Sequence, residues 1–502
     1  MQDILLGIDL GTTSLRAGFY DKSGKNYGFF VEEYDLVYPR QGFVEQDPRE
    51  WIRALKSAVR KGMENLGISR ERILGLAAGS TCCSVVLCDE KGEPVRDCIM
   101  WMDVRAAKEA REIEEMTGER LSAEWMPCKL LWLKRHEMGN YQKAQIYCEC
   151  QDWITHYLTG IWSVNVNTAC NWGYNDEEKG FPEWFYDKIG LQEALKKFPC
   201  QNCYAVGDKI GYLTRESAKE LGLSEKVFVA QGGVDSSIGI LGMGVCGPGR
   251  LALMTGSSNL TMLLTKDQMF TENTITAGPN HLLKGYYTSF RGQLSANSII
   301  EWFRKEIAQE NDVEAFFKRM EEEAEQVPAG SRGLLALDFF QGNRHPYLDT
   351  RVRGMIYGLF LKHTKADIYR CLLEGIAYGT GNLLWQYRQA GVEIGEVNIS
   401  GGTTNSDVFM QIMADVNDVI INVPSDCQSV CMGAAICVAY AAGCYDSFSS
   451  AVKGMVSYKK VVEPKAENVE KYQKLFRKYR EIYPMMKEWM HEMWEINMCS
   501  SH

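Results

Sequence analysis

The sequence predicts an α/β protein built from two related domains. Three observations carry this. The chain has 502 residues, enough for two domains with insertions. Two turns rich in glycine and hydroxyl residues, each held between apolar strands, stand about half the chain apart: Asp9-Leu10-Gly11-Thr12-Thr13-Ser14 and Thr255-Gly256-Ser257-Ser258-Asn259. An echo of this kind reads as two related domains facing each other. Two glycine pairs, Gly232-Gly233 and Gly401-Gly402, each follow an apolar strand and precede a helix.

Bulk properties narrow the function. Hydrophobic residues make up 45% and charged residues 24%, as in an ordinary globular enzyme. The net charge of −10 is spread along the chain, which argues against a nucleic-acid partner and reads as solubility. The start of the chain lacks a basic region, and no apolar run approaches the roughly 18–20 residues of a membrane helix. A cytoplasmic protein with no membrane partner is expected. The 17 cysteines are scattered and odd in number, and Cys82, Cys83, Cys88 and Cys437 lie in apolar surroundings, so reduced, mostly buried thiols are expected. Cys200-Gln201-Asn202-Cys203 is a lone C-x-x-C without the second pair that a zinc site needs.

Along the chain, Ile4–Asp9 and Leu15–Asp21 read as strands of a hairpin. Gly11 lets successive N–H groups point into one concavity, and Thr12, Thr13 and Ser14 add hydroxyls. Asp9 stands where it could hold a hydrated Mg²⁺. The turn reads equally as a phosphate cradle or as a plain polar hairpin turn. The segment Gly42–Pro48 precedes a helix whose apolar positions are Trp51, Ile52, Ala54, Leu55, Ala58 and Val59. Strands at Ile73–Ala78 and Ser84–Asp89 flank the small polar loop Gly79-Ser80-Thr81-Cys82-Cys83. Trp101, Asp103 and Arg105 offer an aromatic face, a carboxylate and a guanidinium, which suit a polyol; a surface ion pair is the plainer alternative. Lys129–Lys134 lies on an amphipathic helix, its Trp132 and leucines in the core. Asp235 ends the run that begins at Val227; it can take a proton from a hydroxyl, hold a metal or cap the helix after it. Gly247-Pro248-Gly249 is a hinge-like break. Gly401–Ser406, between a strand and a helix, admits a planar base or a phosphate against the backbone.

In this order the pieces resemble the FGGY carbohydrate kinases, within the actin, sugar kinase and heat-shock chaperone superfamily. The matching stretches are D-x-G-T-T-S at Asp9, F-V-E-Q-D-P at Phe43, W-M-D-x-R at Trp101, K-L-L-W-L-K at Lys129, G-G-x-D ending at Asp235 and T-G-S-S at Thr255. Gly354–Leu359, Asp367, Leu373–Tyr378, Gly401-Gly402 and Gly433-Ala434-Ala435 complete the set. The resemblance implies two ribonuclease-H-like α/β domains around an interdomain cleft: residues 1–246, residues 247–455, and a helical tail 456–502 packed on the second. It implies ATP, Mg²⁺, a sugar or polyol acceptor and a homodimer. It makes Asp235 the catalytic base and places Asp9 and Asp235 near the metal. Gly11, Thr12, Thr13 and Ser14 then take the outgoing phosphates, and Thr255 and Gly256 hold phosphate from the other side. Asn297, Glu301, Gly401, Gly402 and Ser406 fall to the nucleotide, and Thr81, Cys82, Trp101, Asp103, Arg105 and Arg291 to the acceptor. A carboxylate of ordinary pKa, about 4, would be ionised at neutral pH.

The acceptor is less defined. Gly342–Pro346 with Asp349, Thr81-Cys82 and the Trp101 segment resemble ribulokinases; Phe43–Pro48 and Gly292–Ala296 resemble xylulokinases. The Met-His pair usual in xylulokinases is replaced by Ser80–Cys83, and the Lys near Asn171 and Glu near Phe290 of ribulokinases are missing. Asn297 stands where the family often has Gly, and Glu301 where related kinases have Gln. A ketopentose is the expected acceptor; a tetrulose, a polyol, a deoxy sugar or, with Arg291 at the cleft, an aldonate is the alternative. A nucleotide-gated sugar sensor and a chaperone-like ATPase are the rivals from other classes.

Overall fold

The computed structural model describes residues 3–199, 203–269, 275–276 and 278–499. The C-x-x-C segment lies outside the described residues except for Cys203. By packing, the chain forms two units. The first is Met1–Cys246 with Ala277–Thr288 and Gln428–Val456; the second is Gly247–Thr276, Ser289–Cys427 and Ser457–His502. Among the described residues no helix is long and apolar enough to cross a membrane.

In the first unit the strands are β1 (Ile4–Leu10), β2 (Ser14–Tyr20), β3 (Asn26–Glu33), β4 (Glu45–Gln46), β5 (Ile73–Ser80), β6 (Val85–Cys88), β7 (Cys98–Ile99), β8 (Ile146–Glu149), β9 (Lys209–Tyr212), β10 (Phe228–Ala230) and β11 (Gly233–Val234). The main sheet runs β3-β2-β1-β5-β10-β9, with β11 also paired to β5. β1 to β3 are antiparallel neighbours, β1 and β5 run parallel, and β10 runs parallel to β5. Every residue of β1 is buried, as expected of a central strand covered on both faces, while β3 at the edge alternates with solvent. A smaller sheet, β4-β7-β6-β8, brings the Phe43 segment and the Trp101 segment onto one support.

The second unit repeats the plan. Its strands are β12 (Gly249–Thr255), β13 (Asn259–Thr265), β14 (Ile275–Thr276), β15 (Tyr287–Gln293), β16 (Leu335–Leu337), β17 (Met355–Tyr357), β18 (Ile394–Gly401), β19 (Ile420–Pro424) and β20 (Tyr458–Val462). The sheet order is β14-β15-β13-β12-β18-β19-β20. β12 and β13 form a hairpin, β12, β18 and β19 are parallel, and β20 closes antiparallel to β19 as β9 does to β10. The duplication expected from the two hydroxyl-rich turns is thus present in strand order and direction.

One boundary differs from the sequence reading. Helix Ser429–Ala441, expected in the second domain, packs in the first unit against β1 and helix Asp235–Gly242. Glycines permit this: a Cβ on Gly7 would fall 1.8 Å from the Cys431 carbonyl oxygen, and one on Gly433 2.0 Å from that of Ile238. The Gly433-Ala434-Ala435 signature is therefore a backbone-to-backbone contact that seats the Asp235 helix. The tail opens on β20 and continues as one helix, Ala466–Cys499. It packs within the second unit, where the Tyr472 hydroxyl donates to buried Glu374 at 2.7 Å.

Candidate active site

In the first unit three strand ends meet. Asp9 stands opposite Gly79 across the β1–β5 pairing, and Gly233 stands opposite the same Gly79 from the other side. Asp235 follows two residues later as the first residue of helix Asp235–Gly242. Gly79 has no side chain of its own there; a Cβ on it would meet Val430 Cγ1 at 2.6 Å and lie 3.6 Å from the Asp235 Cα. Gly232 is glycine for another reason. A Cβ on it would sit 1.7 Å from the Ala78 carbonyl oxygen, so its close approach is to β5, not to a ligand.

The helix has no side-chain N-cap. Among the described residues Asp235 Oδ1 accepts only from the adjacent Ser236 N–H, at 2.5 Å, so the capping role is set aside. Desolvation by burial pushes the Asp235 carboxyl up to about 7, and the negative charge of Asp9 adds to this. The expectation of an ordinary, fully ionised carboxylate is corrected: burial at a strand end beside a second acid disfavours the charge. Asp9 is also raised by burial, against the pull of Arg16, whose Nη1 donates to it at 2.8 Å from the facing position of β2.

The turn Gly11–Ser14 is held from outside. Tyr34 donates its hydroxyl to the Gly11 carbonyl (2.7 Å) and Gln46 its amide to the Thr12 carbonyl (3.2 Å), while Trp51 donates to Gln46 (2.6 Å). Gly11 N–H closes the turn onto Ser14 O (3.0 Å), and Ser14 itself is buried in β2. The N–H groups of Thr12 and Thr13 have no protein acceptor among the described residues, and both side chains reach solvent. Two free amides on neighbouring residues of one turn are donors of the kind that can receive an anion. Trp101 is 37% exposed, and its Nε1 donates to Thr12 Oγ1 at 3.1 Å. The aromatic and the turn, far apart in sequence, are thereby neighbours.

Several expected acceptor contacts are corrected. Asp103 and Arg105 are wholly buried and pair with each other at 2.8 Å; Asp103 also accepts the Val44 N–H, and Arg105 reaches Glu45 and the ring of Phe43. Their charges are spent on anchoring the Phe43 segment. Thr81 is buried, its hydroxyl shared with Ser84 at 2.9 Å. Cys82 remains half-exposed. Arg291 lies in β15 of the second unit with no exposed surface, its guanidinium over the Tyr387 ring and bonded to Gln386 at 2.5 Å. A strand interior has swallowed it, so it cannot meet a carboxylate ligand.

The second unit contains a slot of about 510 Å³. Ala296, Ile300, Phe317, Tyr369, Leu373 and Phe409 give it apolar walls, and Asn297, Gly402 and Ser406 lie at its polar side. Apolar walls with a few fixed polar groups suit a planar base. Gly402 has nothing within 4 Å of where its Cβ would stand, whereas a Cβ on Gly401 would meet Thr255 O at 1.9 Å. Gly402 therefore faces open space, and Gly401 is a strand contact outside the lining. Ser406 caps helix Asp407–Asn417 and donates to Glu321 at 2.6 Å. Glu301 turns to Arg304 (3.0 Å) and is likewise absent from the lining. Thr255 Oγ1 is bonded to Thr403 Oγ1, while the N–H groups of Ser257 and Ser258, beside Gly256, are exposed and without a protein acceptor among the described residues.

Sequence reading missed Tyr34, Gln46, Glu321, Tyr369 and Phe409. Gln46 had a signal, a polar residue one position before Asp47-Pro48 in the F-V-E-Q-D-P segment, but its partner Thr12 is distant in sequence.

Two family models match the chain: the N-terminal domain of the FGGY family of carbohydrate kinases over residues 4–242, and its C-terminal domain over residues 251–442. A xylulose kinase of Staphylococcus epidermidis is 27% identical, covering 97% of this chain and 98% of that protein. A ribulokinase of Halalkalibacterium halodurans is 29% identical over 94% of this chain and 93% of its own. The crystal structure of xylulose kinase from Rhodospirillum rubrum has the same fold, with a TM-score of 0.85 at 24% identity over 97% of this chain and 100% of that one.

Proposed function

This chain belongs to the FGGY family of carbohydrate kinases, phosphotransferases that act on an alcohol group, and from that premise we propose that it moves the γ-phosphate of ATP to a hydroxyl of a ketopentose such as xylulose or ribulose, with Asp235 as base. The observation that carries the reading is that Asp9 and the Gly233-Val234-Asp235 turn flank Gly79 of β5 from its two sides, close enough for the charge of Asp9 to act on Asp235, beside a turn with two free amides. Full-length relatives named xylulose kinase and ribulokinase support the pentulose.

The roles follow from the groups present. Phosphoryl transfer needs alignment and charge neutralisation more than covalent help. Thr12 and Thr13 orient the phosphate by their amides, and Ser257 and Ser258 carry the corresponding free amides of the second unit. The apolar slot takes the adenine. Trp101 offers its face to the acceptor's carbon skeleton, next to half-exposed Cys82. Asp235 orients the hydroxyl and accepts its proton as the new P–O bond forms.

Asp9 and Asp235 fit a metal in donor number and hardness. Two carboxylates, with no cluster of three or more His, Cys, Asp or Glu among the described residues, match Mg²⁺, which keeps most of its waters. Bound there, Mg²⁺ would supply positive charge against the phosphate and favour ionisation of both acids. The aldonate alternative loses its cation, because Arg291 is enclosed. The reading includes a cytoplasmic homodimer; the exposed apolar row Met485, Trp489, Met493 and Ile496 on the last helix supports self-association, and sedimentation velocity tests it.

Incubation with ATP·Mg²⁺ and a panel of pentuloses, tetruloses, polyols and aldonates tests the acceptor. Turnover is expected on a pentulose; ADP release with no ketose in the panel would refute the pentulose.

A further inference from the structure

Lys129 places its amine in the middle of a buried helix, where burial pulls its pKa down. It has no exposed surface, and its neighbours on helix Met126–His136 from Met126 to Leu133 are all buried. Among the described residues its Nζ meets no carboxylate. It donates instead to three main-chain carbonyls: Cys83 at 2.6 Å, Met100 at 2.9 Å and Ile99 at 3.4 Å. A buried ammonium is costly unless its hydrogen bonds are satisfied. Here the acceptors belong to two separate segments, the loop that carries Cys82 and the end of β7 that leads directly into Trp101.

The Cys83 peptide is gripped from its other end as well. Its N–H donates to Glu149 Oε2 at 2.5 Å, and Glu149 Oε1 accepts from Trp172 Nε1 at 2.7 Å. Cys83 has φ of 59°, in the left-handed region that a non-glycine residue enters only when its surroundings impose it. So one strained residue has a buried lysine amine on its carbonyl and a buried acid on its amide. The duplication gives the loop its meaning. In β5, Ser80 lies beside Leu10 at the start of the first turn; in β18, Gly401 lies beside Thr255 at the start of the second. The loop Thr81–Cys83 thus occupies in the first unit the place that Gly402–Thr404 takes beside the apolar slot of the second.

We infer that Lys129 and Glu149 are positioning residues for the acceptor: together they hold the Cys82–Cys83 loop and the Trp101 segment as one surface, and so set which acceptor the enzyme selects. This rests on the proposed kinase reading, and extends it from the base to the residues that shape the acceptor site.

The test compares Glu149→Gln and Lys129→Met with wild type in steady-state kinetics on whichever acceptor the wild type uses best. In Glu149→Gln the side-chain amide confronts one of two buried N–H donors. A buried donor left without its partner is expected to raise acceptor KM about 10- to 100-fold. The KM for ATP stays within about twofold, because the nucleotide slot shares no residue with the clamp. The preference between the best and second-best acceptor, as a ratio of kcat/KM, shrinks in both variants. A merely structural role would lower melting temperature and active fraction while leaving acceptor KM and that ratio in place, and this outcome overturns the inference. If Lys129→Met fails to bind nucleotide, Glu149→Gln decides alone. A wild type that uses some acceptor other than a pentulose refutes the pentulose reading only, since the same comparison runs on that acceptor.

Discussion

Lowering the pH should switch this enzyme off well above the range of an ordinary carboxylate. Asp235 must be ionised to accept the hydroxyl proton. Burial and the charge of Asp9 push its carboxyl up to about 7. For an acid, a raised pKa means the proton is kept to higher pH, so the active form is lost as pH falls through about 7. At pH 8 about nine-tenths of the free enzyme carries the anion, and at pH 6 about one-tenth. The profile of kcat/KM reports the free enzyme, so it should fall about tenfold per unit below its midpoint. The profile of kcat reports the loaded enzyme. With a cation between the two acids its acid limb should move to lower pH. Glu149 is also pushed up to about 7 by burial, so a control is needed: Glu149→Gln should leave the kcat/KM limb in place. A kcat/KM profile that stays flat from pH 5 to 8, or a limb that disappears in Glu149→Gln, would refute the assignment to Asp235.

Three further outcomes are expected. Gly402→Val places its side chain in open space, so the fold should tolerate it, while the KM for ATP rises about tenfold or more and acceptor KM stays unchanged; kinetics with each substrate varied in turn check this. Gly232→Ala drives a methyl to 1.7 Å from the Ala78 carbonyl and should destabilise the first unit by about 2–4 kcal/mol, read from urea unfolding. Arg291→Met should leave acceptor KM within about twofold on every acceptor, acidic ones included, because the guanidinium it removes is enclosed in the second unit.

Elements defined by local pattern were legible in the sequence. The strands around Gly11 and Gly256, the helix after Pro48 and the turn before Asp235 announce themselves by apolar runs broken by glycine, and each lies where the pattern places it. The nearness of Asp9 to Asp235 follows once three strands are set side by side. Charged residues were harder. Asp103, Arg105 and Arg291 have the chemistry of sugar ligands, and only long-range packing shows that they are satisfied inside the protein. The same blindness hid Lys129 and Glu149: their partners are carbonyls and amides, which every residue owns and no sequence distinguishes. Helix Ser429–Ala441 looked like part of the second domain because chain order places it there. Glycine contacts at Gly7 and Gly433, invisible without the backbone, decide otherwise. The capping alternative for Asp235 needed coordinates as well, since an acid before a helix and an acid at its first position differ by one residue.

The account depends most on one side chain serving as proton acceptor, and Asp235→Asn tests it directly. The amide keeps the size and one acceptor oxygen but cannot take the proton. With ATP and acceptor both saturating, kcat should fall by about 10²–10⁴, the usual range for losing a general base, while titration calorimetry gives nucleotide and acceptor affinities close to wild type. An Asp235→Asn enzyme that turns over at the wild-type rate would contradict the account.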